Sequence, residues 1–386
     1  MSINCQRLPR PMAACGSDSD PMAQPRILFI TRKWAPAIGG METYSMRLVE
    51  ALGESTDLRV LSLPGRADGR PPGSTALLGF ALRICRERLF TSRDNDVVHI
   101  GDMASWPLAL PFLVAKHRPQ IVLSAHGTDV SYAGRKSWRG RCYRLYQRIG
   151  AYLLSGAKVI ANSKATAQAA RESGWADLRV VPLATDIAAD SPLQEIDGRT
   201  LLFAGRLIPL KGCGWFVDQV LPLLPDTMRL HVAGPPWDET ERRRMNHPRV
   251  DYLGTLDREA LAGEYRNAIC IVVPNVAMGN GQFEGFGLVA PEAAGAGGVV
   301  LASRTGGLID AVLDGETGFL VTAGDAEAWA EKIMAVATWT REERVRFTDG
   351  ARLRVQEHFN WDRVARETLT TYLGGELLPI QLSSRN

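Results

Sequence analysis

The sequence predicts an α/β chain built as two halves of similar plan, and three observations carry that prediction. Short apolar runs recur with helical segments between them, first from Arg26 to Val181 and again from Thr200 to Ala302. Strands and helices that alternate in this way make parallel sheets covered on both faces. Residues 183–199 between the two series are polar and rich in turn formers, as a connection between domains is. The 386 residues, 45% of them hydrophobic, suffice for two separate cores.

The first half opens after residues 1–24, which mix Pro, Ser, Asp, Arg and Met without the apolar stretch of a secretory signal and are expected to form a disordered leader. Arg26–Ile30 reads as a strand, and a loop through Gly39-Gly40 leads into a helix near Met41 with Met46, Val49 and Leu52 on one face. Paired glycines let a backbone approach a ligand at a helix start, although on their own they also simply make turns. Further strands are expected at Leu58–Leu63, Val97–Ile100, Ile121–Ala125, Lys158–Ala161 and Arg179–Val181.

Two stretches of this half stand out. The strand Ile121–Ala125 delivers His126 at its carboxyl end, where open α/β sheets bind ligands; a histidine there can equally cap a turn. From Arg135 to Arg148 the chain carries Arg135, Lys136, Arg139, Arg141, Arg144 and Arg148 without an acid, interleaved with Trp138, Tyr143, Leu145, Tyr146 and Ile149. On a helix these make either a basic aromatic face suited to an anionic membrane or a solvated face covering the sheet. No nucleic-acid motif accompanies them, and no nucleic-acid partner is expected.

In the second half Thr200–Ala204 reads as a strand, followed by the loop Gly205–Gly212 and a helix through Trp215, Phe216, Val220 and Leu224. Strands follow at Leu230–Ala233, Arg249–Leu253, Ala268–Val273 and Gly298–Ala302. The loop carries Arg206 and Lys211 directly after a strand. Two cations there suit a departing diphosphate, because they stabilise the negative charge that grows as a bond to phosphate breaks; the plainer alternative is a solvated loop. Gly281–Gly295 then turns from strand to helix through glycines, the arrangement that offers backbone N–H groups to a phosphate. It carries Glu284 in the turn and Glu292 beyond it, expected more than a helical turn inside the helix. Pro291 suits a first turn, however, so the helix starts late or bends there. Acids so separated are not a side-by-side metal pair and read as contacts to two parts of one ligand.

Charge is unevenly shared. Residues 1–195 hold 25 Lys+Arg against 17 Asp+Glu, and the remainder 20 against 25, which makes the first half the expected partner of an anionic surface. The six cysteines show no paired spacing, which favours free thiols over a disulfide frame or a zinc site. No run approaches the roughly 20 apolar residues of a membrane span.

Three segments together, Gly39-Gly40-x-Glu42, Gly205-Arg206-x4-Lys211-Gly212 and Glu284-Gly285-Phe286-Gly287-x4-Glu292, resemble the signature segments of retaining glycosyltransferases of family 4, in that family's order, from about Arg26 to Tyr372. The resemblance implies the GT-B fold: two Rossmann-like domains with parallel sheets facing across a cleft and a C-terminal helix crossing back to the N-terminal domain. The expected division is a leader at 1–24, an acceptor-side domain at 25–190, a nucleotide-sugar-binding domain at 191–360, and the crossover helix and tail at 361–386. It further implies a retaining hexosyltransferase that uses a UDP- or GDP-sugar donor and a glycan acceptor in cell-surface polysaccharide synthesis, with no obligatory divalent metal and no cofactor; a lipid-linked acceptor is expected from the basic aromatic helix. By that likeness Arg206 and Lys211 hold the diphosphate, Glu292 the ribose and Glu284 the transferred sugar. Backbone N–H groups of Phe286, Gly287 and Leu288 complete the phosphate cradle. His126 lies near the reacting face, and Gly39 and Gly40 close the pocket. Val181-Pro182-Leu183-Ala184-Thr185-Asp186 departs from the family's common Asn-Gly pair. The expected location is cytoplasmic, with peripheral attachment to the inner membrane through the basic helix. The same fold also serves sugar-nucleotide epimerases and non-catalytic partners of other transferases, which is the alternative reading. Asp94-Asn95-Asp96 precedes its strand, where a metal-binding D-x-D would follow one.

Overall fold

The computed structural model describes residues 24–37, 39–66, 72–90, 94–114, 117–186 and 198–375. All but one residue of the expected leader, most of the residues between the halves, and the tail lie outside these ranges.

Two six-stranded parallel sheets organise the chain. The first contains β1 (Arg26–Thr31), β2 (Asp57–Ser62), β3 (Val97–Ile100), β4 (Gln120–Ala125), β5 (Lys158–Ala161) and β6 (Asp177–Val180), in the order β2-β1-β3-β4-β5-β6. The second contains β7 (Thr200–Ala204), β8 (Arg229–Ala233), β9 (Val250–Gly254), β10 (Ile271–Val273), β11 (Val300–Ser303) and β12 (Phe319–Val321), in the order β12-β11-β10-β7-β8-β9. Strand order reverses between β1 and β3 in one sheet and between β7 and β10 in the other. The crevices beyond the carboxyl ends of those pairs are where such sheets take ligands.

The central strands are largely apolar because both faces are covered, whereas the outer strands β2, β6 and β9 carry charged residues and are only partly buried. In β1, Ile27 and Phe29 pack into one core cluster and Leu28 and Ile30 into another. Each fully buried side chain of that size contributes about 1.5–3 kcal/mol. The cluster holding Ile27 and Phe29 continues into the second half through Phe286, Ala290 and Val300. Phe359, Val364 and Tyr372 of the chain's end belong to it as well, so the two halves share a core.

The helix Trp361–Tyr372 crosses back onto the first half. Asn360 caps it by accepting from the Arg363 N–H at 2.8 Å. Arg363 donates to the Pro182 carbonyl at 2.6 Å, and Lys158 of β5 donates to Thr371 O at 2.7 Å. The stretch expected as a polar, turn-rich connection between domains starts as packed chain: Leu183, Ala184 and Thr185 are buried, and Thr185 N–H donates to Phe359 O.

Three expectations need correction. A short strand, β12, follows the turn at Gly315–Gly318 and is not among the expected strands, because three residues, Phe319-Leu320-Val321, give too little periodicity to read. The regular helix expected through Trp215–Leu224 is broken into an α turn, a π turn at Phe216–Val220 and a 3-10 turn at Leu221–Leu223, where Pro222 has no N–H to give. The Gly-turn helix runs Val289–Gly295, so Glu292 lies in its first turn rather than more than a turn inside. Asp96 of the Asp-Asn-Asp stretch is structural: its carboxylate pairs with Arg26 at 2.8 Å and ties the start of β1.

Candidate active site

The loops after β7 and β10 meet at the switch point of the second sheet. Lys211 follows β7 in a turn that ends at Gly212, whose φ of +71° is left-handed. A side chain at 212 would collide with the Pro274 carbonyl, so glycine lets the two loops touch. Across that contact Lys211 Nζ lies 2.6 Å from Glu284 Oε2, and Asn275 Nδ2 donates to the same oxygen at 3.2 Å. Burial alone would raise the Glu284 carboxyl; Lys211, then Asn275 and Arg206, outweigh it and hold the group below the usual carboxylate range. Asn275 Oδ1 is buried and has no donor within the described residues. Its bonding capacity is therefore half used.

Glu292 sits differently. Its carboxylate has no side-chain partner among the described residues, and burial, with Asp186 adding, raises its pKa against the nearby charges of Arg258 and Lys211. The two acids are thus an ionised, paired carboxylate and an unpaired, destabilised one. Between them the N–H groups of Gly287 and Leu288 make no hydrogen bond among the described residues. Phe286 itself is core: its ring packs edge-on against Phe359 at 6.1 Å, so only its backbone is left to meet a ligand. Arg206 is exposed, with its guanidinium 4.6 Å from the Trp237 ring centroid. It lies near enough to Glu284 to add to the field there, but it is not locked in place by a carboxylate.

From the first half, the loop after β4 reaches the same place. His126 is buried, and its Nε2 lies 2.9 Å from the Gly101 carbonyl at the end of β3. A carbonyl only accepts, so Nε2 carries a proton and donates to it. The His126 N–H donates to Asp129 Oδ1 at 2.8 Å, and the Tyr44 ring stands edge-on to the imidazole at 4.7 Å. Gly127, at φ +99°, packs directly on Gly285. A side chain on either residue would strike the other loop. Thr166 Oγ1 donates to Gly285 O at 3.4 Å beside them. Gly40 lies opposite Leu288, where a methyl at 40 would be in ordinary contact at 3.6 Å. Gly39 is extended, and its neighbour Glu42 pairs with Lys33 at 3.3 Å.

The structure therefore gathers Lys211, Glu284, Gly287, Leu288, Glu292, His126 and Gly40 around one cleft, with Arg206 at its edge. Sequence reasoning missed Asn275, Tyr44 and Trp237. Asn275 had a usable signal, a polar residue two positions beyond a buried strand. Tyr44 had none, because its relation to His126 exists only once β1 and β4 lie in one sheet. Among the described residues no three His, Cys, Asp or Glu side chains form a metal-binding group.

The basic segment also differs from expectation. The helix spans Trp138–Leu153 and is capped by Ser137, so Arg135 and Lys136 precede it. Tyr143 and Tyr146 turn inward and donate to the carbonyls of Asp129 and Ala104 at 2.7 and 2.6 Å. Trp138, Leu145, Ile149, Tyr152 and Leu153 face outward, among exposed Arg139, Arg141 and Arg148. No helix of the described residues is long and apolar enough to cross a membrane.

Residues 38–189 match the family model described as Glycosyltransferase Family 4, and residues 198–338 the model described as Glycosyl transferases group 1. The D-inositol 3-phosphate glycosyltransferase of Xylanimonas cellulosilytica is 35% identical over 205 residues, 50% of this chain and 47% of that one. The MMP alpha-(1->4)-mannosyltransferase of Mycolicibacterium hassiacum is 27% identical over 314 residues, 76% of this chain and 74% of that one. The chain spans about half the length of the inositol 3-phosphate enzymes it matches. Among solved structures, Anabaena Alr3699/HepE in complex with UDP and glucose superposes with a TM-score of 0.65 at 19% identity, covering 90% of this chain and 99% of that one. At that identity the likeness is one of fold.

Proposed function

The chain belongs to glycosyltransferase family 4, the group 1 glycosyl transferases, with the GT-B fold, and from that premise we propose that it transfers a hexose from a nucleotide diphosphate sugar to a hydroxyl of a glycan or lipid-linked acceptor, with retention and without a metal. One observation supports this reading above the others: the Lys211–Glu284 pair at 2.6 Å, set at the switch point of the second sheet and facing His126 from the first. The donor's diphosphate lies on Lys211, Arg206 and the free N–H groups of Gly287 and Leu288. Glu292 accepts from the ribose hydroxyls. Glu284, held ionised, accepts from hydroxyls of the transferred sugar, and Asn275 Oδ1 gains the donor it lacks.

The glycosidic C–O bond to the phosphate breaks with its electron pair going to the phosphate oxygen. The acceptor oxygen bonds to the same face of the anomeric carbon, and its proton passes to the departing phosphate. No carboxylate pair of the glycosidase kind is required. Lys211 and Arg206 act where charge develops, which is where such groups lower a barrier most.

Label transfer from a set of hexose nucleotides to glycan acceptors tests the proposal. The wild type transfers, and Glu284→Ala and Lys211→Ala each reduce turnover by about 10²–10³-fold with the fold intact by circular dichroism. Conversion of the donor sugar without any acceptor, or wild-type turnover in Glu284→Ala, contradicts it.

The acceptor side supports a membrane-surface setting. Helices Ser74–Phe90 and Trp138–Leu153 flank a groove of about 410 Å³ lined by Leu77, Phe80, Leu108 and Tyr146. Leu78, Leu82 and Leu89 of the first helix are exposed beside Arg83 and Arg86, as Trp138 and Ile149 are on the second. Such faces seat on anionic bilayers. Flotation with vesicles containing phosphatidylglycerol is expected to carry the protein, and vesicles of phosphatidylcholine alone to leave most of it behind. Equal binding to both, or to neither, rules the setting out.

A further inference from the structure

The helix Arg341–His358 has two unlike sides. Its inner side is committed: Arg344 is buried and donates to the carbonyls of Ala268 and Ile269 at 2.6 and 2.7 Å, with Thr348, Ala351 and Val355 buried in line with it. Its outer side, with Glu343, Arg346, Phe347, Gly350 and Arg354 at helical spacing, lines a groove of about 650 Å³ together with Glu316 and Trp339. That volume lies within the range of small-molecule sites, about 300–1,000 Å³. None of these residues belongs to the cleft described above.

Three features of the groove are unexplained by the fold. Gly350 sits in the helix interior, where glycine is the least favourable residue after proline, yet an added Cβ would meet nothing within 4 Å. Packing does not require the glycine; its missing side chain only deepens the groove. Arg346 makes no ion pair or hydrogen bond among the described residues, so its planar fork of donors is free. Trp339 and Phe347 are half-buried and braced from behind, Phe347 stacked on Phe319 at 5.1 Å and 14°, and Trp339 at 5.1 Å from Phe347. Their remaining faces are rigid apolar walls. Arg354 pairs with Glu316 at 2.8 Å and with Glu357 at 3.0 Å, and the Glu343 carboxylate accepts from the Thr340 N–H at 2.8 Å in the cap of its own helix, so among the described residues Arg346 is the unpaired charge of the groove and little net charge remains.

Rigid aromatic faces beside planar carboxylate and guanidinium groups, with little net charge, fit the apolar C–H faces and paired hydroxyls of a neutral saccharide. We infer that this groove is a second glycan-binding site, outside the cleft, which holds a distal segment of the acceptor or product chain. Its role in transfer rests on the glycan acceptor proposed above, whereas binding itself does not.

The full-length protein is tested on an array of neutral hexose oligosaccharides, followed by calorimetry with the best-bound hexasaccharide. Wild type binds, and Glu284→Ala, disabled in the cleft, binds as well. Gly350→Gln replaces the glycine by a better helix former, so it keeps or raises Tm, and weakens binding at least tenfold. Transfer to a monosaccharide acceptor stays within twofold of wild type in this variant. Should Gly350→Gln lower Tm, Arg346→Ala, an exposed residue without a partner, takes its place with the same expectation. No binding by wild type, undiminished binding in the groove variants, or loss of binding in Glu284→Ala overturns the inference. Binding that persists in a protein without transferase activity upholds the site and rejects only the reading of the cleft.

Discussion

At the scale of single residues, the two glutamates of the glycine turn show how one motif divides its labour. Glu284 is stabilised by Lys211 and Asn275, whereas Glu292 is half-buried without a side-chain partner among the described residues and its pKa is raised. A carboxyl whose pKa is raised on folding costs nothing while both states are protonated. The cost appears as pH rises through the unfolded value of about 4.5 and is complete above the folded value. Glu292→Gln is therefore expected to melt about 1–3 °C higher than wild type at pH 7.5, with the gain shrinking as pH is lowered toward 4.5 and with weaker nucleotide binding. Thermal melts across that range check it; a variant less stable than wild type at neutral pH counts against the assignment. Glu284 has the opposite sign: its contribution is present above about pH 4.5 and is lost as pH falls through its lowered folded value. The identity of these residues was legible because residue type, spacing and a preceding strand all pointed to them. Their difference in environment was not, since Asn275 and Arg258 come near only through the sheet.

At the scale of elements, the crossover helix does more than close the fold. Tyr372 OH lies 2.6 Å from His99 Nδ1, His99 Nε2 lies 2.7 Å from Ser124 Oγ, and Ser124 Oγ lies 2.8 Å from Tyr44 OH. Tyr44 in turn stands edge-on to His126. All four members are buried, and burial keeps His99 neutral, with its pKa pushed down to about 3. The chain of bonds fixes the wall against which the His126 ring rests from an element in the last turns of the protein. Tyr372→Phe strands a buried nitrogen of His99, a change of about 1–3 kcal/mol. It is expected to lower kcat about 3- to 10-fold with donor KM little changed, and Tyr44→Phe to behave alike. Steady-state kinetics decide between this and a purely structural role, in which Tm falls and kcat of the folded enzyme does not. The helix was legible from its own pattern, and its direction of crossing from the family likeness. Its hydrogen-bonded partners, from β3 and β4, carry no sequence signal that links them to Tyr372. The basic helix shows the same limit: its charge was plain, but which of its aromatic residues turn inward depends on the carbonyls beneath it.

At the scale of the molecule, the two halves meet through small residues at the cleft and through charge at its side. Gly127 packs on Gly285, and Asp186 is shared between Arg47 of the first half at 2.5 Å and Arg258 of the second at 2.9 Å. Burial alone would raise the Asp186 carboxyl, but Arg258 and Arg47 outweigh it and hold the group below the usual carboxylate range. The two-sheet plan was legible from alternation alone. The strand orders, which put Lys211 and Glu284 at one switch point, were not, because alternation says that strands are parallel and not which are neighbours. With the two halves in contact beside that point, a nucleoside diphosphate is expected to bind by its phosphates to Lys211 without help from a metal. Calorimetric titration of UDP, GDP, ADP and dTDP in EDTA, into wild type and Lys211→Ala, tests this most directly. One of the four is expected to bind wild type and to bind the variant at least tenfold more weakly. Binding that requires a divalent ion, binding indifferent to Lys211, or no binding by any of the four would contradict it.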